Sequence, residues 1–263
     1  ENKEIQALCG KIRPSNRMFF GKDFEIADWP WVVYIRRVSE ATKEESICTG
    51  ALISKRHVVT ARHCFNDIGV EIEDKATVMY GGTHWNSAPE TFKTVGIRRK
   101  MHRSFNGMYA DLAFGELEHD IEGSTMSYIC LPREEDYPDG FENKMYFFGG
   151  GKGEGIKAAG DALQYMIYDL DNPDVVYHTI FRNKFYLSHR TRDAQGRGGR
   201  GDSGGPLLRK RNSDGRYVLY AVFHGANDTC TNCSDGWEIF YGMANFRYDI
   251  CRITGICADP PNK

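Results

Sequence analysis

The chain has 263 residues, 41% hydrophobic and 27% charged, with a net charge of −2. That length holds one large all-β domain or two ordinary ones, and the balance suits a globular fold rather than wholesale disorder. It excludes the concentrated basic face that nucleic-acid binding needs, and no apolar run is long enough to span a bilayer. Basic clusters at 98–100 and 209–211 read as solvated strand ends and loops.

Residues 1–17 are polar and close on Pro14, Ser15, Asn16 and Arg17, which reads as a leader outside the core. From Trp29 onward, short β-rich runs are expected at 31–38, 51–54, 57–60, 77–80, 112–117, 144–148, 162–168, 217–224 and 239–245. Turn-forming stretches separate them, notably the Gly-rich segments 149–155 and 196–205. Many short strands with frequent turns indicate a sandwich or a barrel. One helix is expected over 246–252, where apolar residues fall at helical spacing ahead of a stop signal at Gly255.

The eight cysteines are Cys9, Cys48, Cys64, Cys130, Cys230, Cys233, Cys251 and Cys257. An even count in a chain of this type points to disulfides and an oxidising, extracellular compartment. Sequons at Asn227 and Asn232 fit glycosylation during secretion. The start at Glu1, with no signal-peptide pattern, reads as a chain from which a leader has been removed.

Three short motifs carry chemistry. In Gly201-Asp202-Ser203-Gly204-Gly205-Pro206, a serine sits in a Gly-rich turn that exposes its hydroxyl and lets backbone N–H groups approach a carbonyl. In Thr60-Ala61-Arg62-His63-Cys64, a histidine follows a strand, and Cys64 can pair with Cys48 across a short loop. In Asp111-Leu112-Ala113-Phe114, a carboxylate enters an apolar strand.

In the order His63, Asp111, Ser203, these motifs resemble those of the chymotrypsin/trypsin family of serine proteases, and the resemblance extends along nearly the whole chain. Cys48-Thr49-Gly50-Ala51-Leu52-Ile53 looks like the family's strand before the His loop. Asp28-Trp29-Pro30-Trp31 looks like the entry to its first barrel, and Ile129-Cys130-Leu131-Pro132 like the linker between barrels. The resemblance implies an all-β fold of two antiparallel six-stranded barrels with a short C-terminal helix. A propeptide would span 1–17 and the peptidase domain 18–263, with barrel one over about 18–131, barrel two over about 132–245, and the helix and tail over about 246–263.

It also implies a secreted, extracellular serine endopeptidase with no metal and no other cofactor. Ser203 attacks the peptide carbonyl, His63 shuttles the proton, and Asp111 orients His63. The N–H groups of Gly201 and Ser203 form an oxyanion hole worth roughly 3–4 kcal/mol per donor. The implied partners are a protein or peptide substrate, an activating protease and protein inhibitors, with no nucleic acid and no membrane. Cleavage between Arg17 and Met18 would free an α-ammonium that folds inward to meet Asp202. A non-catalytic homologue that uses the shell for binding is the alternative.

Departures from the family pattern fall in the specificity pocket. Arg197 stands where trypsin-like members carry an Asp, with Arg200 nearer the rim, so cleavage after Lys or Arg is not expected. The arginines favour an acidic residue before the cleaved bond. Gly225 matches one pocket wall and Ile239 occupies the other, which argues instead for a small side chain. Phe223 stands at the place of a Ser that supports the catalytic Asp, His224 where a Trp is usual, and Arg62 is placed to pair with Asp111 in compensation. The resemblance also implies Cys48–Cys64 and a Cys9–Cys130 tether. The last four cysteines allow three pairings, of which Cys230–Cys233 with Cys251–Cys257 is favoured, and a zinc site built from all four is the alternative.

Overall fold

A computed structural model describes residues 2–12, 29–39, 42–65, 75–82, 84, 91–105, 108–121, 123, 126–151, 163–179, 184–189, 198–199, 201–227, 237–244 and 246–258. The first strands are β1 (Val32–Val38), β2 (Glu45–Leu52), β3 (His57–Thr60), β4 (Lys75–Tyr80), β5 (Lys93–Phe105) and β6 (Met108–Leu117). They close a barrel in the order β1-β2-β3-β6-β5-β4. β1 opens with Val-Val-Tyr-Ile, β-branched and aromatic residues that suit a pleated surface, and all four are buried.

The second sheet contains β7 (Phe141–Gly149), β8 (Gln164–Asp169), β9 (Val175–Thr179), β10 (Lys184–His189), β11 (Pro206–Arg211), β12 (Tyr217–Asn227) and β13 (Trp237–Gly242). Their order is β8-β7-β11-β12-β13-β10-β9. Six strands were expected here, and the described residues hold seven because 175–189 folds back on itself as the β9–β10 hairpin. The two sheets meet on aromatic rings. Trp29 lies 4.6 Å from Phe148 and 4.9 Å from Tyr217, ring centroid to centroid.

β11 carries the sequence Pro-Leu-Leu-Arg-Lys-Arg, which reads as a solvated loop by charge alone. Arg211 is nevertheless buried, because its guanidinium donates to both carboxylate oxygens of Asp136 at 2.7 and 3.0 Å. Arg209 donates to the Glu142 carbonyl and stacks over the Phe141 and Tyr220 rings.

The N-terminal segment departs from its expected place outside the core. Asn2–Leu8 forms a helix, α1, whose Ile5 is buried in the core cluster together with Cys9. Cys9 is disulfide-bonded to Cys130, and Gly10 exchanges backbone hydrogen bonds with Tyr128 and Tyr217. Two of its polar side chains bond the C-terminal segment: Asn2 donates to the Gly255 carbonyl, and Gln6 to those of Cys257 and Ala258. A disulfide, one buried apolar side chain and several hydrogen bonds together dock this polar segment.

The C-terminal helix, α2 (Arg247–Thr254), lies one to two residues beyond its expected bounds and ends at Gly255. Gly255 has φ +77°, the left-handed geometry that a glycine stop supplies. Cys251 and Cys257 form a disulfide across that stop. Among the described residues, no helix is long and apolar enough to cross a membrane.

Candidate active site

β3 runs antiparallel to β6, with Thr60 opposite Ala113 and Val59 opposite Phe114. Continued past β3, this register brings Ala61 opposite Leu112 and the start of the next turn, at Arg62, beside Asp111. The chain leaves β3 into a 3-10 turn, Arg62–Cys64, that carries His63, and β6 carries Asp111. The His63 backbone N–H donates to Asp111 Oδ1 at 2.9 Å, and His63 Nδ1 lies 2.6 Å from Asp111 Oδ2. The Cys48–Cys64 disulfide fixes the turn to β2 from its far side.

A second imidazole reaches the same carboxylate. His224, on β12, directs Nδ1 at Asp111 Oδ2, and its ring stands edge-on to that of His63 with centroids 5.9 Å apart. Phe223 is buried against Phe147 and Phe240 in the second sheet, and its neighbour His224 joins His63 in bonding the Asp111 carboxylate. The β12–β13 register slips between Phe223 and Gly225, and this irregularity turns His224 away from the interior. Burial opposes ionisation of Asp111, but the hydrogen bonds from His224 and His63 outweigh it and hold the carboxyl well below the usual carboxylate range. Because an ionised carboxylate only accepts, both Nδ1 atoms are donors, and each neutral ring then has Nε2 as its basic nitrogen.

Ser203 lies in the turn before β11, and its backbone is pinned to the first barrel. Its carbonyl accepts from the Thr49 N–H at 2.9 Å, and the Cys64 sulfur lies 3.6 Å from the same oxygen. The buried Thr49 hydroxyl donates to the Gly201 carbonyl and accepts from the Gly150 N–H, both at 2.9 Å. Gly204 has φ +79°, and a Cβ there would fall 1.9 Å from Thr60 Oγ1, so only glycine lets the loop approach β3 this closely. Among the described residues, the N–H groups of Gly201 and Ser203 donate to no protein acceptor, which leaves two donors side by side.

Asp202 points inward. Its carboxylate accepts from Gly199 N–H at 2.6 Å and Gly151 N–H at 2.7 Å. Burial pushes its pKa up to about 6 against the opposing pull of those two bonds.

Gly225 and Ile239 are register partners on β12 and β13. A Cβ on Gly225 would meet nothing within 4 Å, so Gly225 borders open space. Glu238, the neighbour of Ile239, is a carboxylate that the sequence reading missed. It is buried and accepts from Gly198 N–H at 2.6 Å, and burial pushes its pKa up to about 8, opposed by that bond. A lone Glu in a strand carries no signal of its partner, because Gly198 lies 40 residues away in sequence.

Arg197, Arg200, Arg17, Met18, Cys230, Cys233 and Asn232 lie outside the described residues, as does the side chain of Asn227. The expected pairs Cys9–Cys130, Cys48–Cys64 and Cys251–Cys257 are all formed.

A family model described as Trypsin matches residues 18–246. Serine proteinase stubble of Drosophila melanogaster is 28% identical over 80% of this chain and 28% of its own length. Serine protease filzig of the same organism is 29% identical over 82% of this chain and 13% of its own. Chymotrypsin-C of Rattus norvegicus is 25% identical over 82% of this chain and 81% of its own. The chain thus spans under a third of the two fly proteins and about four-fifths of the rat one.

Proposed function

The chain belongs to the trypsin family, and on that premise we propose that it is a secreted serine endopeptidase that works through Ser203, His63 and Asp111. The observation that carries the reading is the paired hydrogen bonding of His63 to Asp111 beside a nucleophile loop pinned to the same barrel. The Asp111 carboxylate holds Nδ1–H of His63, so Nε2 is the base that takes the Ser203 proton. Ser203 Oγ attacks the peptide carbonyl, and the developing oxyanion meets the N–H groups of Gly201 and Ser203. Imidazolium His63, stabilised by Asp111, returns the proton to the leaving amine. Water then repeats the sequence on the acyl-enzyme.

Activation follows the Arg17–Met18 cut. Asp202 is a buried carboxylate supported by backbone donors, and the new α-ammonium of Met18 supplies a countercharge that draws it and the adjoining Gly201 N–H into the working arrangement. For specificity, Arg197 and Arg200 favour an acidic residue before the cleaved bond. The partners are a protein or peptide substrate, an activating protease and protein inhibitors.

The test is a fluorophosphonate probe applied before and after limited cleavage by a trypsin-like protease. Labelling mapped to Ser203, absent in Ser203→Ala and in the uncut protein, is the expected result. Silence after mass spectrometry has verified the new Met18 terminus overturns the enzyme reading in favour of a non-catalytic binding homologue.

A further inference from the structure

Two imidazoles on one catalytic carboxylate do more than orient a base. One ring nitrogen of His63, one of His224 and a carboxylate oxygen of Asp111 lie within 4.8 Å of one another, both Nδ1 atoms face the same Asp111 oxygen, and the three residues sit on different segments of backbone. Two imidazole nitrogens and one carboxylate oxygen form a donor set that suits zinc and related divalent transition metals, with the remaining positions open to water. Both His side chains are about one-third exposed, at 35% and 37%, so an ion has a path from solvent. We propose that His63, Asp111 and His224 form a reversible divalent-metal site, selective for zinc-type ions, that switches the peptidase off when occupied.

The off-state follows from proton bookkeeping. In the metal-free site each neutral imidazole carries its proton on Nδ1, where it donates to Asp111. A metal on Nδ1 displaces that proton, and the ring takes one up on Nε2, so there is no net proton release from a neutral ring. For His63 this reverses the tautomer: Nε2 now carries a hydrogen and has no lone pair for the Ser203 proton. Asp111 likewise turns its oxygen from orienting His63 to ligating the ion. Nothing need block the cleft for activity to stop. His63 and Asp111 alone give two donors, and His224 supplies the third, so the site depends on this histidine.

The inhibition half of this inference rests on the peptidase reading, whereas the binding half does not. The experiment therefore has two readouts. Zinc chloride is titrated into cleaved Ser203→Ala protein by calorimetry, and into cleaved native-sequence protein during fluorophosphonate labelling. Expected are one-to-one binding, a labelling rate that falls with zinc occupancy, and recovery on adding EDTA. His224→Gln keeps an N–H donor for Asp111 but offers no imidazole, and His224→Ser keeps a hydroxyl. Zinc affinity falls by about tenfold or more in each variant whose melting curve shows it folded. Absence of saturable binding, or equal binding in the folded His224 variants, overturns the site. Binding without loss of labelling overturns the switch, and binding to a protein that never labels leaves the site standing while the peptidase reading fails.

Discussion

The buried hydroxyl of Thr49 donates to the carbonyl of Gly201, across the boundary between the two sheets. The same residue gives its N–H to Ser203 and its carbonyl to the Thr60 hydroxyl. One strand residue thus holds the Ser203 loop and the strand that leads to His63 in a single hydrogen-bonded frame. Thr49→Val keeps the shape and removes the hydroxyl, leaving the Gly201 carbonyl and the Gly150 N–H without partners. Leaving buried groups unsatisfied costs about 1–3 kcal/mol each. Chemical denaturation should show a loss of that order, and Ser203 labelling should slow because the Gly201 donor is no longer held.

Glu238 should impose a pH dependence on stability. Its folded pKa is about 8 against an ordinary 4.5, so the folded protein binds the proton more tightly than the unfolded one. The contribution is fully present below about pH 4.5 and is lost as pH rises through about 8. Across that window the stability falls by up to about 1.4 kcal/mol per pH unit from this group. Glu238→Gln keeps an acceptor for Gly198 N–H and should flatten the profile, which melting temperatures measured at several pH values would show. A profile unchanged by the substitution refutes the assignment.

Arg211 and Asp136 form a bidentate ion pair with side-chain exposures of 2% and 3%. Removing only the cation, in Arg211→Ala, strands a buried carboxylate and should destabilise by about 3–5 kcal/mol. Asp136→Asn with Arg211→Met should recover a large part of that loss, which urea unfolding of the single and double variants measures. Equal stability of Arg211→Ala and the parent would show that the pair contributes nothing.

Activation should be visible in two variants and in the native sequence. Arg17→Gln should stay intact and unlabelled, and Asp202→Asn should be cut but label weakly. In the cut native-sequence protein, the Met18 ammonium has an ordinary pKa of about 8 and is raised by its partner. Labelling should therefore persist at neutral pH and fall as alkaline pH strips that proton. Full labelling of intact Arg17→Gln refutes the scheme.

The parts legible in the sequence were those with short-range signatures. Ser203 among its glycines, His63 beside Cys64, and Asp111 at a strand entry each announce themselves within six residues. Two of the strands that went unseen carry runs of charge. β5 carries Lys93, Arg98, Arg99 and Lys100, and β11 ends in Arg209, Lys210 and Arg211. Charge reads as loop until a distant carboxylate or ring accounts for it, as Asp136, Glu142 and Phe141 do in β11. His224 and Glu238 were opaque for the same reason. Their partners, Asp111 and Gly198, lie 113 and 40 residues away. An irregularity of one residue in β12 accompanies the reach of His224 to the Asp111 carboxylate.

The bond between Cys9 and Cys130 closes a span of 121 residues that contains the Arg17–Met18 junction. A cut there leaves the molecule in one piece, and α1 does not diffuse away. Its local concentration stays high, so its hydrogen bonds to Gly255, Cys257 and Ala258 should survive such a cut. The surface it presents is then common to the precursor and the product. An antibody or binding protein raised against α1 would count total protein, and only a reagent for the Met18 terminus would report how much of it is switched on.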